Sequence, residues 1–440
     1  MSKFFIYLFF VLNLAVIFGF WGVNSGGLLL GGSVANILLS LGRISGLLLA
    51  FFVLIQVLLM GRTVWIEKLF GLDKLARVHH YVGYSLSIFL VLHPLLVVWS
   101  YALESEVSFW NKLGSLLIFG EDILGAAIGF VLFILVIISS ITIARKKLKY
   151  ESWYYVHLAV YIAILTAFGH QLGTGGDFKE QKIFALYWLA LYLFVFTNLI
   201  LFRFLRPIYD FGKHRFVVDK VVRETGDTYS IYIRGKNIEG YKFHAGQFAI
   251  FRFLARGLWT QEHPFSFSQL PGRDFLRITI KGSGDYTAEL GKVLPGTKVV
   301  IDGPYGIFTS DRTRNRKILL IAGGVGIAPV RAVGEVLTEE NRDLVLLYAN
   351  RREKDIIFRR ELDEIDHKPN FQIHHVVAGD PDWRGEKGFI DEEKINRLVP
   401  DVSSRDIYLC GPKPMMEAMV RVLVKLAVPE SRIYYEKFEL

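Results

Sequence analysis

The chain has 440 residues, 52% of them hydrophobic, with a formal net charge of +9 and a mean hydropathy of +0.35. That length leaves room for two or three domains, and almost all of the apolar excess lies before Arg206. The basic residues flank apolar runs instead of forming a patch with interleaved aromatics, which argues against nucleic acid, and the single cysteine, Cys410, excludes an intramolecular disulfide, a cysteine-built metal site and an iron–sulfur cluster.

Six apolar segments reach the length of about 20 residues that crosses a bilayer, near 4–23, 34–60, 78–101, 122–144, 153–170 and 183–205. The first follows Lys3, is long for a secretory leader and has no small-residue cleavage site after it, so it reads as a retained helix. Basic residues gather in alternate loops: Arg62, Lys68, Lys74 and Arg77 after span two, Arg145, Lys146, Lys147 and Lys149 after span four, and Arg203, Arg206, Lys213 and Arg215 after span six. The remaining loops are neutral (22–33), net acidic (Glu104, Glu106, Glu121 and Asp122 against Lys112) or balanced (Asp177 and Glu180 against Lys179 and Lys182). The positive-inside rule then places both termini in the cytoplasm, for an integral protein of the plasma or inner membrane.

Arg43 is the one charge deep in span two, within LSLGRISGLLLAF. A buried intramembrane arginine is costly and marks function; here it is expected near the outer side, facing a propionate or a small anionic acceptor species. Span three carries His79 and His93, 14 residues apart, and span five carries His157 and His170, 13 apart. A rise of 1.5 Å per residue separates each pair by roughly 20 Å, too far to share one metal ion but suited to ligands at two depths. Both helices run from inside to outside, so His79 and His157 fall at the inner level and His93 and His170 at the outer. Neutral imidazoles at matched depths are expected to ligate two b-type haems. His79 and His93 share a helix face, while 13 residues fall about 140° short of whole turns, which predicts a π-bulge or kink near Gly169. His80 is the rival to His79, with the poorer phase to His93.

After Pro207 the texture changes to short alternating runs with Gly, Pro and Asn turns, which predicts an antiparallel barrel over about 210–308. From Arg316 strands alternate with helices, including an acidic and basic helix from Asp355 to Asp366, as in a doubly wound α/β sheet. Three pieces carry chemistry. In HPFSFSQL, His263 and Ser266 can hydrogen-bond a flavin while Phe265, after Pro264, packs on its ring. In IKGSGDYTAEL, Gly282 and Gly284 precede a helix opening at Tyr286 and Thr287, an anion site suited to a pyrophosphate. In KILLIAGGVGIAPV, a buried strand leads to Gly323, Gly324 and Gly326 and a helix start near Pro329, where a dinucleotide can approach the backbone. CGPKPMM adds a second strand-end turn, and Arg351 and Arg352 end the next strand, where a ribose or 2′-phosphate would sit.

With those residues in hand, the chain resembles the ferric reductase and NADPH oxidase superfamily over nearly its whole length, through the four histidines, HPFS, IKGSGDYT, DGPYG, AGGVGIAP and CGPKPM in family order. The resemblance implies a six-helix transmembrane haem-binding bundle (1–207), then a ferredoxin-reductase-like module. That module comprises an antiparallel β-barrel FAD domain (208–310) and an α/β NAD(P)H-binding domain (311–440). It implies that His79, His93, His157 and His170 ligate haem iron, and that His263, Phe265 and Ser266 contact the flavin, Ser266 near the reactive ring nitrogen. Lys281, Gly284, Tyr286 and Thr287 are then the FAD adenosine and pyrophosphate site. Gly324, Gly326, Pro329, Arg351, Cys410, Gly411 and Pro412 are the nicotinamide nucleotide site. Phe438 resembles the aromatic that covers the flavin, although Glu439 and Leu440 follow it here. Arg43 matches a buried arginine near the outer haem of the oxidases, whereas Val97 stands where the animal oxidases tend to have a further histidine. The implied activity moves electrons from NADPH or NADH through FAD and two b-type haems to an extracytoplasmic acceptor. Dioxygen, giving superoxide, is favoured by Arg43 and the short outer loops; the alternatives are a ferric chelate or a partner protein. Nothing marks an obligatory protein partner.

Overall fold

The computed structural model describes residues 3–120, 122–141, 147, 150–174, 178 and 181–436. The expectations placed on Glu121, Arg145, Lys146, Lys149, Asp177, Lys179, Glu180, Phe438, Glu439 and Leu440 lie outside the described residues. The chain divides into two compact units, one of Met1–Trp65 with Lys74–Arg203, the other of Ile66–Asp73 with Phe204–Leu440.

The first unit is helical. Among the described residues, six helices are long and apolar enough to cross a membrane, and the spans begin with Lys3–Ser25, Val34–Met60, Leu72–Glu104, Ile123–Ser140 and Tyr150–Thr174. The sixth runs Lys182–Leu199 and continues through a π-helical turn, Ile200–Leu205, into Arg206–His214. Ser33 caps the second span by accepting a hydrogen bond from the Asn36 N–H at 3.4 Å. Gly125 and Gly129, four apart in the fourth span, lie against the fifth: a Cβ on Gly125 would stand 2.7 Å from the Thr166 carbonyl, and one on Gly129 2.9 Å from that of Ala163. Small residues at this spacing let two membrane helices approach to backbone contact.

The fifth span is a continuous α-helix through Gly169, so the expected π-bulge or kink there is absent. The rings of His157 and His170 nevertheless both pair with histidines of the third span, without a backbone break. The π turn sits instead just before Pro207, which has no N–H to continue the α-helical ladder. The fourth span ends at Ser140, with Ile141 extended, short of the expected 144.

The second unit holds the strands. β1 (Val217–Arg223), β2 (Thr228–Arg234) and β5 (Leu276–Lys281) form one antiparallel sheet, in the order β1-β2-β5. β3 (Phe248–Phe253), β4 (His263–Ser266) and β6 (Val299–Tyr305) form the other, in the order β4-β3-β6. Inward residues such as Ile231, Ile233, Phe251, Phe253, Ile278 and Ile301 fill one apolar core between them.

The following sheet is parallel, in the order β10-β9-β8-β7-β11-β12, from β7 (Lys317–Gly323), β8 (Asp343–Asn350), β9 (Phe371–Val377), β10 (Glu386–Lys387), β11 (Asp406–Cys410) and β12 (Ile433–Tyr435). The central strands read as near-continuous apolar runs because helices cover both faces. The helix after β8 spans Arg359–Asp366; the expected start at Asp355 is a separate 3₁₀ turn, Glu353–Asp355, and Phe358 at φ 60° precedes the helix.

Candidate functional site

In the helical unit the four histidines meet as two pairs. The ring centroids of His79 and His157 are 6.1 Å apart, and those of His93 and His170 are 6.3 Å apart, both with an interplanar angle of 59°. His80 stands apart, exposed against Tyr84 with its Nε2 3.1 Å from the hydroxyl. The pairing expected from depth is thus the one observed, and it selects His79 over His80.

Second-span residues with no signal in the sequence shape these pairs. His93 Nδ1 lies 2.9 Å from the Gly42 carbonyl, which can only accept, so Nδ1 donates and Nε2 keeps its lone pair. Gly46 makes room: a Cβ there would stand 2.6 Å from His93 Nδ1. Arg43 follows Gly42 and donates from Nη1 to the Ser25 hydroxyl at 3.1 Å. On the other pair, Ser140 Oγ is 3.3 Å from His157 Nδ1 and accepts from Trp153 Nε1 at 3.3 Å. His79 Nδ1 is buried and has no hydrogen-bond partner among the described residues.

In the second unit the expected flavin contacts lie on one strand. β4 pairs with β3 so that His263 lies opposite Phe251, Pro264 opposite Ile250, Phe265 opposite Ala249 and Ser266 opposite Phe248. All four β4 residues are half-buried, so this strand keeps an accessible side. The His263 ring stacks on Tyr286 at 4.2 Å, bringing the HPFS strand against the glycine turn. That turn is followed by the helix Asp285–Leu290, one residue earlier than expected and only six residues long. The Thr287 hydroxyl accepts from the N–H groups of Ser283 at 3.1 Å and Gly284 at 3.0 Å. Lys281 Nζ lies 3.6 Å from Asp227 and is exposed.

The glycine loop is the better defined feature. β7 pairs with β8 on one side and β11 on the other, so the connection reverses between β7 and β11. Ligands of open α/β sheets bind outside the carboxyl ends of the strands at that reversal. Gly323–Gly326 and Cys410–Pro412 occupy those two ends. A Cβ on Gly326 would stand 2.4 Å from the Cys410 carbonyl oxygen, and one on Gly323 would meet Met415 Sδ at 2.4 Å and Pro412 at 3.0 Å. Gly324 has φ +53° with open space around it. The helix Ile327–Glu339 opens directly behind, with Pro329 in its first turn. Burial pushes the Cys410 thiol up to about 12, aided by the nearby Glu436 carboxylate, so it is a neutral thiol. Arg351 and Arg352 are exposed beyond β8.

One further cluster escaped sequence reasoning. Glu67 belongs to the second unit and accepts the Gly306 N–H at 2.7 Å, while Glu436 accepts that of Ile307. Burial raises the Glu67 carboxyl to about 7, against the Gly306 hydrogen bond and the charges of Arg206, Lys68 and Arg312. Burial raises Glu436 to about 8, with Asp73 and Glu67 adding to the rise. Arg206 Nη2 donates to the Gly303 carbonyl at 2.5 Å, and Leu72 packs with Phe248, Ile250 and Tyr305. The end of the DGPYG segment is therefore gripped from several sides.

Three families match the chain in order: the ferric reductase like transmembrane component over residues 45–168, an FAD-binding domain over 215–309, and the oxidoreductase NAD-binding domain over 320–421. The chain has the ferric reductase/NADPH oxidase-like architecture. It is an integral membrane protein that carries matches to FAD-binding and NAD-binding oxidoreductase domains. The ferric reductase-like match covers His79, His93 and His157 and ends two residues before His170. Among similar proteins, the glycine betaine monooxygenase reductase subunit of Chromohalobacter salexigens is 30% identical over 239 residues, 52% of this chain and 64% of that protein. NADH-cytochrome b5 reductase 1 of Lodderomyces elongisporus is 33% identical over 176 residues, 38% of this chain and 59% of that one. A solved ferredoxin reductase in carbazole 1,9a-dioxygenase is 26% identical with a TM-score of 0.45, covering 51% of this chain and 68% of its own. The chain thus spans about six-tenths of the length of the curated relatives it matches.

Proposed function

We propose that this ferric reductase-like protein passes electrons from NADPH or NADH through FAD and two b-type haems to an acceptor on the far side of the membrane, with dioxygen the favoured acceptor and superoxide the product. The observation that carries the haem reading is the matched geometry of the two histidine pairs. His79 with His157, and His93 with His170, would each hold one haem iron, which would supply one-electron chemistry at that level. The pairs stand at 6.1 and 6.3 Å. The Nδ1 hydrogen bond to Gly42 leaves the His93 Nε2 lone pair free, the atom that would bind a metal.

When bound, the flavin supplies the exchange of a hydride for single electrons, and the two haems supply one-electron stations at two depths of the membrane. The chain's own residues hold and insulate them. His79 and His157 serve the inner level and His93 and His170 the outer, with both termini cytoplasmic by the loop charges. Ser266 and His263 offer hydrogen bonds to the flavin edge, Phe265 and Pro264 its packing surface, and Lys281, Gly284, Tyr286 and Thr287 the adenosine and pyrophosphate contacts. Phe438 is proposed to cover the flavin. Gly323, Gly324, Gly326 and Pro329 admit the nucleotide backbone, Arg351 and Arg352 its ribose phosphate, and Cys410, Gly411 and Pro412 line the nicotinamide end. A neutral Cys410 thiol suits that role, since it offers packing without a competing nucleophile.

The test is an absorption spectrum of the purified, FAD-supplemented protein, taken anaerobically with NADPH and then with NADH, before air is admitted with a superoxide probe. Haem reduction followed by a dismutase-sensitive signal is expected. Reduction that persists in air but is discharged by a ferric chelate assigns a metal acceptor, and reduced haems that discharge to neither point to a protein acceptor. No haem band overturns the reading of the four histidines. Arg43→Ala is expected to lower superoxide output while both haems stay reducible; unchanged output removes Arg43 from the acceptor site.

A further inference from the structure

The seam between the flavin barrel and the nucleotide sheet holds a buried charge cluster that the electron route does not use. Arg277 on β5 and Arg331 on the helix Ile327–Glu339 are both buried, 4% and 7% exposed. Both converge on Glu361 of the helix Arg359–Asp366. Arg277 grips it with two hydrogen bonds, Nη1 to Oε1 at 2.9 Å and Nη2 to Oε2 at 3.1 Å, and Arg331 Nη2 reaches Oε2 at 2.8 Å. The two guanidiniums also share one acceptor, the Ser268 carbonyl, with Arg331 Nη1 at 3.0 Å and Arg277 Nη2 at 2.6 Å. Phe358 lies under both, its ring centroid 4.7 Å from the Arg277 Cζ and 5.2 Å from that of Arg331. Glu335 takes a further bond from Arg331 at 2.8 Å, and the Tyr232 hydroxyl one from Arg277 at 3.3 Å.

The attachment points give this cluster its meaning. Ser268 lies two residues beyond Ser266, at the end of the strand proposed to hold the flavin. Arg331 lies four residues into the helix that opens at the nucleotide loop. Two like-charged guanidiniums at this spacing repel one another unless a carboxylate lies between them, and removing the shared partner from a buried pair is far costlier than exposing a surface one. Single-point contacts would let the lobes rock, whereas a bidentate arginine fork fixes direction as well as distance.

We propose that Glu361 is a positioning residue: by joining Arg277 to Arg331 it holds the flavin strand and the nucleotide helix in one relative setting, from which hydride transfer proceeds. The transfer clause rests on the flavin and nucleotide reading above; the holding of the two lobes does not.

The experiment uses the full chain with spin labels at Lys292→Cys in the barrel and Arg421→Cys in the nucleotide sheet, both exposed positions, since the native Cys410 is buried. Pulsed distance measurement without FAD is expected to give one narrow distribution in the parent. Glu361→Gln is expected to broaden it or add a second distance, and Glu361→Asp to restore most of the narrow population. With FAD loaded, stopped-flow flavin reduction at saturating NADPH is expected to slow roughly 10- to 100-fold in Glu361→Gln, the cost of about 1 Å of misplacement, with KM changed less than about threefold. Arg331→Met, which leaves the Arg277–Glu361 pair intact, is the second variant should Glu361→Gln fail to fold; it is expected to broaden the same distribution. An unchanged distribution overturns the proposal, and broadening without slower flavin reduction overturns its hydride-transfer clause. A parent protein whose bound FAD is reduced by neither NADPH nor NADH overturns the functional reading instead, while the distances still decide the clamp.

Discussion

Replacing His79 or His157 by alanine is expected to halve the haem absorption per protein and to leave the remaining haem unreduced by NADPH, although dithionite still reduces it. His93→Ala and His170→Ala are expected to halve the absorption too, but the haem left behind stays reducible by NADPH while delivery to the acceptor falls to background. The asymmetry follows from the order of the two levels. In the proposed route, electrons entering from the cytoplasmic side would meet the His79–His157 pair first, so its loss would strand everything beyond it, whereas loss of the outer pair would only remove the exit. Gly46→Ala is expected to behave like His93→Ala without touching a ligand, because its Cβ would stand 2.6 Å from the His93 Nδ1 and 2.7 Å from its Cε1. His80→Ala is expected to leave both haems in place, since that ring is exposed and stands off the pair. Absorption and redox titration of the six variants decide the matter. Two full haems in His79→Ala, with one lost in His80→Ala, would reverse the inner assignment.

Much of this architecture was legible because it is written in local patterns. Six apolar runs of spanning length, strands of alternating texture and glycine loops at strand ends each announce themselves within a window of a few turns. The pairing of His79 with His157 was legible for a different reason: two helices running the same way at matched depth leave only one way to match four histidines. What stayed hidden depends on residues far apart in the chain. Gly42 and Gly46 look like ordinary small residues of a membrane helix until His93, about 50 positions on, is seen against them. The expected break at Gly169 is absent, since the helix continues through it, and the two rings still pair with those of the third span. Arg277 and Glu361 lie 84 residues apart and on different lobes, so no spacing rule joins them. Glu67 did leave a trace: it is an acid within a loop otherwise marked by Arg62, Lys68, Lys74 and Arg77, where sequence reasoning counted only the bases.

Glu67→Gln is expected to be nearly silent at pH 5 and stabilising at pH 8. The Glu67 carboxyl, ordinarily near 4.5, is raised to about 7 in the folded protein, and Glu436 to about 8. Between those limits the folded state keeps protons that the unfolded chain has released. Stability is therefore full below about pH 4.5, falls as pH rises, and levels off above the folded values, opposite to the usual carboxylate case. For Glu67 alone the span from 4.5 to about 7 corresponds to about 3 kcal/mol at one proton and 1.36 kcal/mol per pH unit. Glutamine is the neutral isostere. Its Oε1 still accepts the Gly306 N–H, and it has no proton to lose. At pH 8 the variant should unfold roughly 6–12 °C above the parent, taking about 2–4 °C per kcal/mol for a unit of this size. Thermal unfolding followed by flavin fluorescence from pH 5 to 9 measures this. Parent and variant curves that run parallel across that range would show that Glu67 carries no proton in the folded state, leaving it a simple carboxylate acceptor for the Gly306 turn.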